Sequence, residues 1–268
     1  MIVLLNKKNR ALLSELVRTD FKLRYQASIL GYVWSIMKPL FMFSILYTVF
    51  GVVLKLGAGI PNYALSLLLG IVIWNFFAEA TSGALKSVVS KGNLIRKIDI
   101  PRHLIPITSV ASALINMSLN LIVVFVFIAF GSNLALSGWT LVVLPLLILE
   151  LILFTTAASF FLSAVFVKFR DIDHIWEVMR QALFYSIPII YPLSRIPSES
   201  IQQFMLMNPL VQVIQDARSV TTHAGTETIP DLYTNPLVQL IPIGLVIVAL
   251  FIGVKYFMKR SKYFAEQV

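Results

Sequence analysis

Cysteine is absent from the 268 residues, which excludes disulfides and thiolate metal sites. Histidine is scarce, and His103, His174 and His223 lie too far apart to show metal-ligand spacing. No G-x-x-x-x-G-K-S/T loop occurs, so the chain has no cradle of that kind for ATP phosphates. If ATP drives it, another subunit binds the nucleotide. Charge is thin as well: 13% of residues are charged against 58% hydrophobic, the balance of a chain solvated by lipid. The longest stretch between apolar blocks, 193–235, is too short for a soluble catalytic domain of ordinary size. A cleaved leader is not expected either, because Glu15 and Arg18 interrupt the place of its apolar core. No short repeat stands out, nor an inverted repeat of the secondary-transporter kind.

What is present is apolar sequence, in six long blocks over about 29–54, 63–85, 104–130, 141–167, 175–193 and 236–258. Most reach the ~20 residues that a helix needs to cross about 30 Å of hydrocarbon. Positive charge falls into every second gap. Segments 1–28, 86–103, 168–180 and 255–268 hold eighteen Lys and Arg, and segments 55–62, 131–140 and 193–235 hold three, with Lys38 at the mouth of the first block. Basic loops stay cytoplasmic, so both termini are expected inside. The formal charge of +9 then reflects topology and anionic lipid, not nucleic acid. The expected fold is an all-α membrane protein of six transmembrane helices over 29–268, preceded by a cytoplasmic segment, 1–28.

Local patterns refine this. Leu12, Leu13, Leu16, Val17 and Phe21 share one helical face, and Arg10, Ser14, Arg18 and Lys22 another, as in a helix lying in the membrane interface. In the gap after the second block, Gly92 and Asn93, then Pro101 and Pro106, bracket a short stretch where Leu94 and Ile95 mix with Arg96 and Lys97. Its apolar residues suggest docking on the membrane surface or on a partner protein. In the gap after the fourth block, Arg170 and Asp171 are adjacent, and local pairing is the plain expectation. The fifth block carries Trp176, Glu177, Arg180 and Gln181 at its inner end, and Pro188 and Pro192 break it outward. Such a helix is tolerated where protein or a cavity satisfies the freed backbone, which makes it a pathway candidate. Residues 195–232 are too apolar for a free loop and too polar to span, with a turn at Asn208-Pro209. Two short helices in or on the outer leaflet fit both facts.

Within the blocks, Glu79 and Glu150 should face protein or water, since a charged acid at the bilayer centre costs about 2.5–3.5 kcal/mol. Ser109, Ser112, Asn116 and Asn120 form one stripe, and Thr155, Ser159 and Ser163 another, the spacing of glue between membrane helices. Phe43, Tyr47 and Phe50 share a face of the first span; Phe184 and Tyr191 share one on the fifth, with Tyr185 beside them. Such rings pack in lipid or protein, and they also suit the C–H faces of sugars along a path.

The run from Arg24 and Tyr25 through Gly31, Tyr32 and Trp34 to Pro39-Leu40 resembles the entry segment of permease subunits from ABC exporters of O-antigen and wall teichoic acid. Asn93-Leu94-Ile95-Arg96-Lys97 with Pro101-Arg102 resembles the loop that couples such permeases to their ATPase. Phe169-Arg170-Asp171 resembles their second cytoplasmic loop, and Asn208-Pro209 with Arg218 and Gly225 their outer re-entrant region. Tyr263-Phe264-Ala265-Glu266 fits their C-terminus; Asp99-Ile100 departs, where aromatic residues are expected. The resemblance implies a homodimer in the bacterial cytoplasmic (inner) membrane with two cytosolic ABC ATPase subunits. ATP and Mg2+ would bind on those subunits, and this chain would be no enzyme. The cargo would be a polysaccharide or polyol-phosphate polymer on an undecaprenyl-type lipid. A permease for a drug or small lipid, and an enzyme acting on a polyprenyl phosphate, are the alternatives.

Overall fold

A computed structural model describes residues 7–25, 31, 33–97, 100–130, 138–222 and 226–267. Among these residues every regular element is helical. Helix α1 covers Lys7–Tyr25, and α2, Val33–Leu46, continues as a π-helical stretch, Tyr47–Val53. Then come α3 (Tyr63–Ser90), α4 (Gly92–Lys97), α5 (Leu104–Phe130), α6 (Gly138–Lys168) and α7 (Ile172–Ser186). The short helices α8 (Glu199–Leu206), α9 (Pro209–Thr222) and α10 (Ile229–Leu232) follow, and α11 (Leu240–Ser261) and α12 (Phe264–Gln267) close the chain. Five stretches, Val33–Val53, Tyr63–Ser90, Leu104–Phe130, Gly138–Lys168 and Pro236–Ser261, are long and apolar enough to cross a membrane.

The fifth apolar block, read as a span over 175–193 broken by Pro188 and Pro192, is helical only as far as Ser186. α7 has 15 residues, a rise of about 22 Å at 1.5 Å per residue, short of the hydrocarbon thickness. It stops because Pro188 biases the preceding residue out of helical geometry, and Ile187 is extended at φ −81°, ψ 138°.

α3 is the central post, buried along most of its length, with α5 and α6 packed on it and α11 against α6. The α5 stripe is buried and reaches three other helices. Ser112 Oγ donates to Asp20 of α1 at 3.2 Å, Asn116 Nδ2 to Glu79 of α3 at 2.7 Å, and Asn120 Nδ2 to the Ser35 carbonyl of α2 at 3.1 Å. α1 lies against α5 with Leu12, Leu13, Leu16, Val17 and Phe21 half-buried, while Arg10, Ser14, Arg18 and Lys22 are exposed. Arg24 and Tyr25 end that helix; residues 26–30 and Tyr32 of the entry motif lie outside the described residues.

On α6, Thr155, Ser159 and Ser163 are fully buried, and small residues there let α11 come close. A Cβ added at Gly253 would sit 2.5 Å from the Ala157 carbonyl oxygen, whereas one at Gly244 would meet nothing within 4 Å. Gly253→Leu is therefore expected to force α11 off α6, at about 1–3 kcal/mol for overpacking. It should lower the Tm of the purified protein by several degrees, with Gly244→Leu silent. An unchanged Tm in the Gly253 variant would overturn this.

After the break come α8 and α9, joined at Asn208, whose Oδ1 accepts from the Leu210 N–H at 3.0 Å, with Pro209 starting α9. α9 is not a surface helix: almost every residue from Pro209 to Ala217 is buried, and it packs on α6 and α3.

Candidate functional site

Arg218 on α9 is 3% exposed. Its Nε donates to the Ser66 carbonyl at 3.0 Å, Nη1 to the Pro188 carbonyl at 2.7 Å and to Gln215 Oε1 at 3.1 Å, and Nη2 to the Ile189 carbonyl at 2.7 Å. The rigid guanidinium fork thus collects the Pro188 and Ile189 carbonyls, which the break after α7 leaves without helical partners, and ties them to α3 at Ser66. Gly70 makes the notch for it, since a Cβ there would lie 2.6 Å from Nη2. Tyr63 adds a hydrogen bond from its phenol to the Ile190 carbonyl. The sequence motif singled out Arg218 but not its acceptors, which come from segments remote in the chain.

α2, α3, α5 and α7 line a second, open cavity of about 1150 Å³. Asn75, Glu79, Ser82 and Lys86 of α3 line it, spaced so that they share one helical face; that spacing is legible in the second apolar block and just past its end, and was the available signal. Arg180 Nη1 donates to Ser82 Oγ at 2.9 Å, and Lys86 Nζ lies 2.7 Å from Asp173 Oδ2. These two links tie α7 to α3. Glu79 faces this cavity and accepts from Asn116. Glu150 does not join it: it sits on α6 beside Gln212 and Asp216 of α9. The two acids expected to face protein or water do so at separate places.

The aromatic candidates divide. Phe43 and Tyr47 stack with ring centroids 5.7 Å apart, and Tyr63, which the sequence pattern did not single out, continues the column 6.4 Å from Tyr47. Phe50 is half-buried beside them. Phe184 turns inward, 7% exposed and 5.6 Å from the Trp74 ring, whereas Tyr185 is 57% exposed. Tyr191 donates its phenol to the Ser186 carbonyl at 2.8 Å, capping the end of α7.

α4 follows the C-terminal end of α3. Asn93, Arg96 and Lys97 are exposed, while Leu94 and Ile95 are half-buried. Ile95 packs on a cluster with Phe257 of α11 and Phe264 of α12. Part of the apolar character read as docking is therefore spent inside the chain, on its own C-terminal helices. Arg102, just past the half-buried Pro101, donates to the Ser261 carbonyl and fixes the following turn. Ile98 and Asp99 lie outside the described residues. Lys91, at the root of α4, lies 3.8 Å from Asp20 of α1; burial holds its ammonium below the usual lysine range, and Asp20 offsets this only in part. Arg170 and Asp171 are exposed at the turn between α6 and α7, and Arg170 lies over the Phe166 ring at 5.2 Å. That cation–π contact takes the place of the local ion pair expected from adjacency.

Comparison with known proteins bears on this arrangement of a broken helix, an open cavity and a basic turn. Residues 11–221 match the profile described as ABC-2 type transporter. The chain is 29% identical over 261 residues to the O-antigen export system permease protein RfbA of Myxococcus xanthus, covering 97% of this chain and 96% of the relative. It is 30% identical over 261 residues to RfbA of Klebsiella pneumoniae, covering 95% and 94%. The polysialic acid transport protein KpsM of Escherichia coli is similar at 20% over 245 residues, 91% of each chain. The chain belongs to the ABC-2 type transporter family, as a multi-pass membrane permease subunit.

Proposed function

We propose that this permease is the transmembrane subunit of an ATP-driven exporter that moves a lipid-linked polysaccharide outward across the bacterial cytoplasmic membrane. The observation that carries the reading is the nearly end-to-end similarity to permeases named for O-antigen export. O-antigen and teichoic acid share the chemistry of a polymer on a polyprenyl-type lipid, and the similarity to a polysialic acid transport protein extends the reading to surface glycans as a class.

In this reading the working unit is a homodimer with two cytosolic ATPase subunits, which bind ATP and Mg2+. Each permease crosses the membrane six times, through the five long helices and through α7 with its extended continuation to Leu193. Both termini are cytoplasmic, α1 lies in the inner interface, and α8 and α9 form the outer re-entrant hairpin. ATP binding closes the ATPases against α4 and the α6–α7 turn. The push passes through Lys91, Asp20 and the Ile95 contact into α1, α3 and α11, and α2 and α7 part to open a path. Tagging the chain in its native membrane tests the reading. A stoichiometric ATPase should co-purify in mild detergent, and deleting the permease should trap lipid-linked glycan on the cytoplasmic face. Recovery of the ATPase with unimpaired glycan export, and hydrolysis stimulated only by small amphiphiles, would point instead to a drug or small-lipid permease.

The aromatic path candidates make a separate expectation. Tyr47→Ala and Tyr191→Ala should each lower glycan export several-fold, because base- or sugar-like faces lose a stacking platform worth about 0.5–1.5 kcal/mol. Complex assembly and ATP turnover should stay near wild type. Unchanged export in both variants would remove these residues from the path.

A further inference from the structure

Resting on the export reading, we infer that the cavity between α2, α3, α5 and α7 is a saccharide site, which recognises the lipid-proximal sugar of the cargo through its hydroxyl groups rather than through the lipid's phosphates. Charge decides against the phosphates. The walls carry Lys38, Lys86 and Arg180 against Glu79, Asp173 and Glu177, an even balance. A phosphate site concentrates cationic donors and keeps carboxylates out. A sugar ring presents neutral diols, which both donate and accept, and is met by amides, carboxylates and a guanidinium together.

Two atoms on the cavity walls sharpen the match. Asn116 is 6% exposed, and its amide nitrogen is committed to Glu79, which fixes the orientation of the amide. Its Oδ1 is a buried acceptor with no partner among the described residues. Trp176 Nε1, across the cavity on α7, is a buried donor with none. Native interiors rarely leave such groups unmatched. One lacks a donor and the other an acceptor, and a hydroxyl supplies either. The indole of Trp34, 44% exposed on α2, adds an apolar ring face on the same wall system, the surface against which the C–H face of a pyranose lies. The volume, about 1150 Å³, exceeds the roughly 300–1,000 Å³ of an ordinary small-molecule pocket, so a sugar ring fits with the groups attached on either side of it.

The test uses the complete permease–ATPase complex in nanodiscs. Two ligands are titrated: the host membrane's lipid-linked glycan trimmed enzymatically to its first sugar, and undecaprenyl pyrophosphate without sugar. The sugar-bearing lipid is expected to bind at least tenfold more tightly. Trp176→Phe, which keeps the ring and removes only the N–H donor, and Asn116→Ser should each bring that ratio close to one. Trp139→Phe, at the far end of α6, should leave it intact, and size-exclusion profiles check folding of each variant. Equal affinities of the wild type for both lipids would overturn the inference and leave the exporter reading standing. So would a ratio that survives in both cavity variants, which would put the sugar contact elsewhere. Failure of either lipid to bind the intact complex would bring down the export reading, and this inference with it.

Discussion

Arg218→Ala is expected to yield a permease that does not purify as a folded species. The substitution leaves the carbonyls of Pro188 and Ile189 and the Gln215 side-chain oxygen without their donor in a buried site. A buried polar group stripped of its partner costs about 1–3 kcal/mol. Three of them together approach the ~5–15 kcal/mol by which a whole domain is ordinarily stable. The loss should appear as aggregation on size exclusion and as a collapsed thermal transition in mild detergent. Arg218→Lys should fall between, because one ammonium on a flexible stem cannot span acceptors arranged for a planar fork. Gly70→Leu should reproduce the alanine phenotype from the other side, by pushing the guanidinium out of its notch. A wild-type Tm in Arg218→Ala would show that the extended segment after α7 is held by something else.

The second large effect concerns energy coupling. The double substitution Arg96→Glu, Lys97→Glu reverses two exposed charges on α4 and leaves Ile95 in its cluster. Fold and Tm should be retained, since exposed substitutions usually move stability by less than about 0.5 kcal/mol. Recovery of the ATPase with the tagged permease should fall about tenfold or more, in line with the few kcal/mol typical of charge pairs across an interface. Export should fall with it. Full ATPase recovery and normal export in this variant would take α4 out of the coupling surface and leave the α6–α7 turn as the alternative contact.

The membrane class, the apolar blocks and the amphipathic face of α1 were legible in the sequence, because lipid imposes long apolar runs and alternating basic gaps that no packing detail disturbs. The end of α7 was legible in kind but not in extent: Pro188 announced a break, yet the block was still read as reaching residue 193. What periodicity cannot reveal is which segment repairs a broken one. Arg218 stands out by motif, but its acceptors lie on α3 and in the stretch after α7, roughly 30 to 150 positions away. The cavity was half-legible. Asn75, Glu79 and Ser82 repeat at helical spacing inside an apolar block, with Lys86 just past its end, but Trp34, Lys38 and Arg180 join them only through the packing of separate helices. Phe184 shows the reverse case: it shares a pattern with exposed rings and yet belongs to the core, because Trp74 of α3 lies opposite it. The Ile95 contact was missed because its partners, Phe257 and Phe264, come from the far end of the chain.

The exposure of α2 has a consequence of another kind. Most of its side chains face outward, and Asn120 grips its first turn through the Ser35 carbonyl. In water such an apolar face would have to stay covered, and uncovering it would cost free energy in proportion to its area. In a bilayer the acyl chains are as good a neighbour as another helix. α2 can therefore separate from a neighbour and rejoin it with no hydrophobic penalty in either direction. The work of a stroke then goes into backbone hinges and a few polar contacts. The lipid acts as the lubricant of the cycle, and stiff or poorly matched lipids should slow it without altering a single residue.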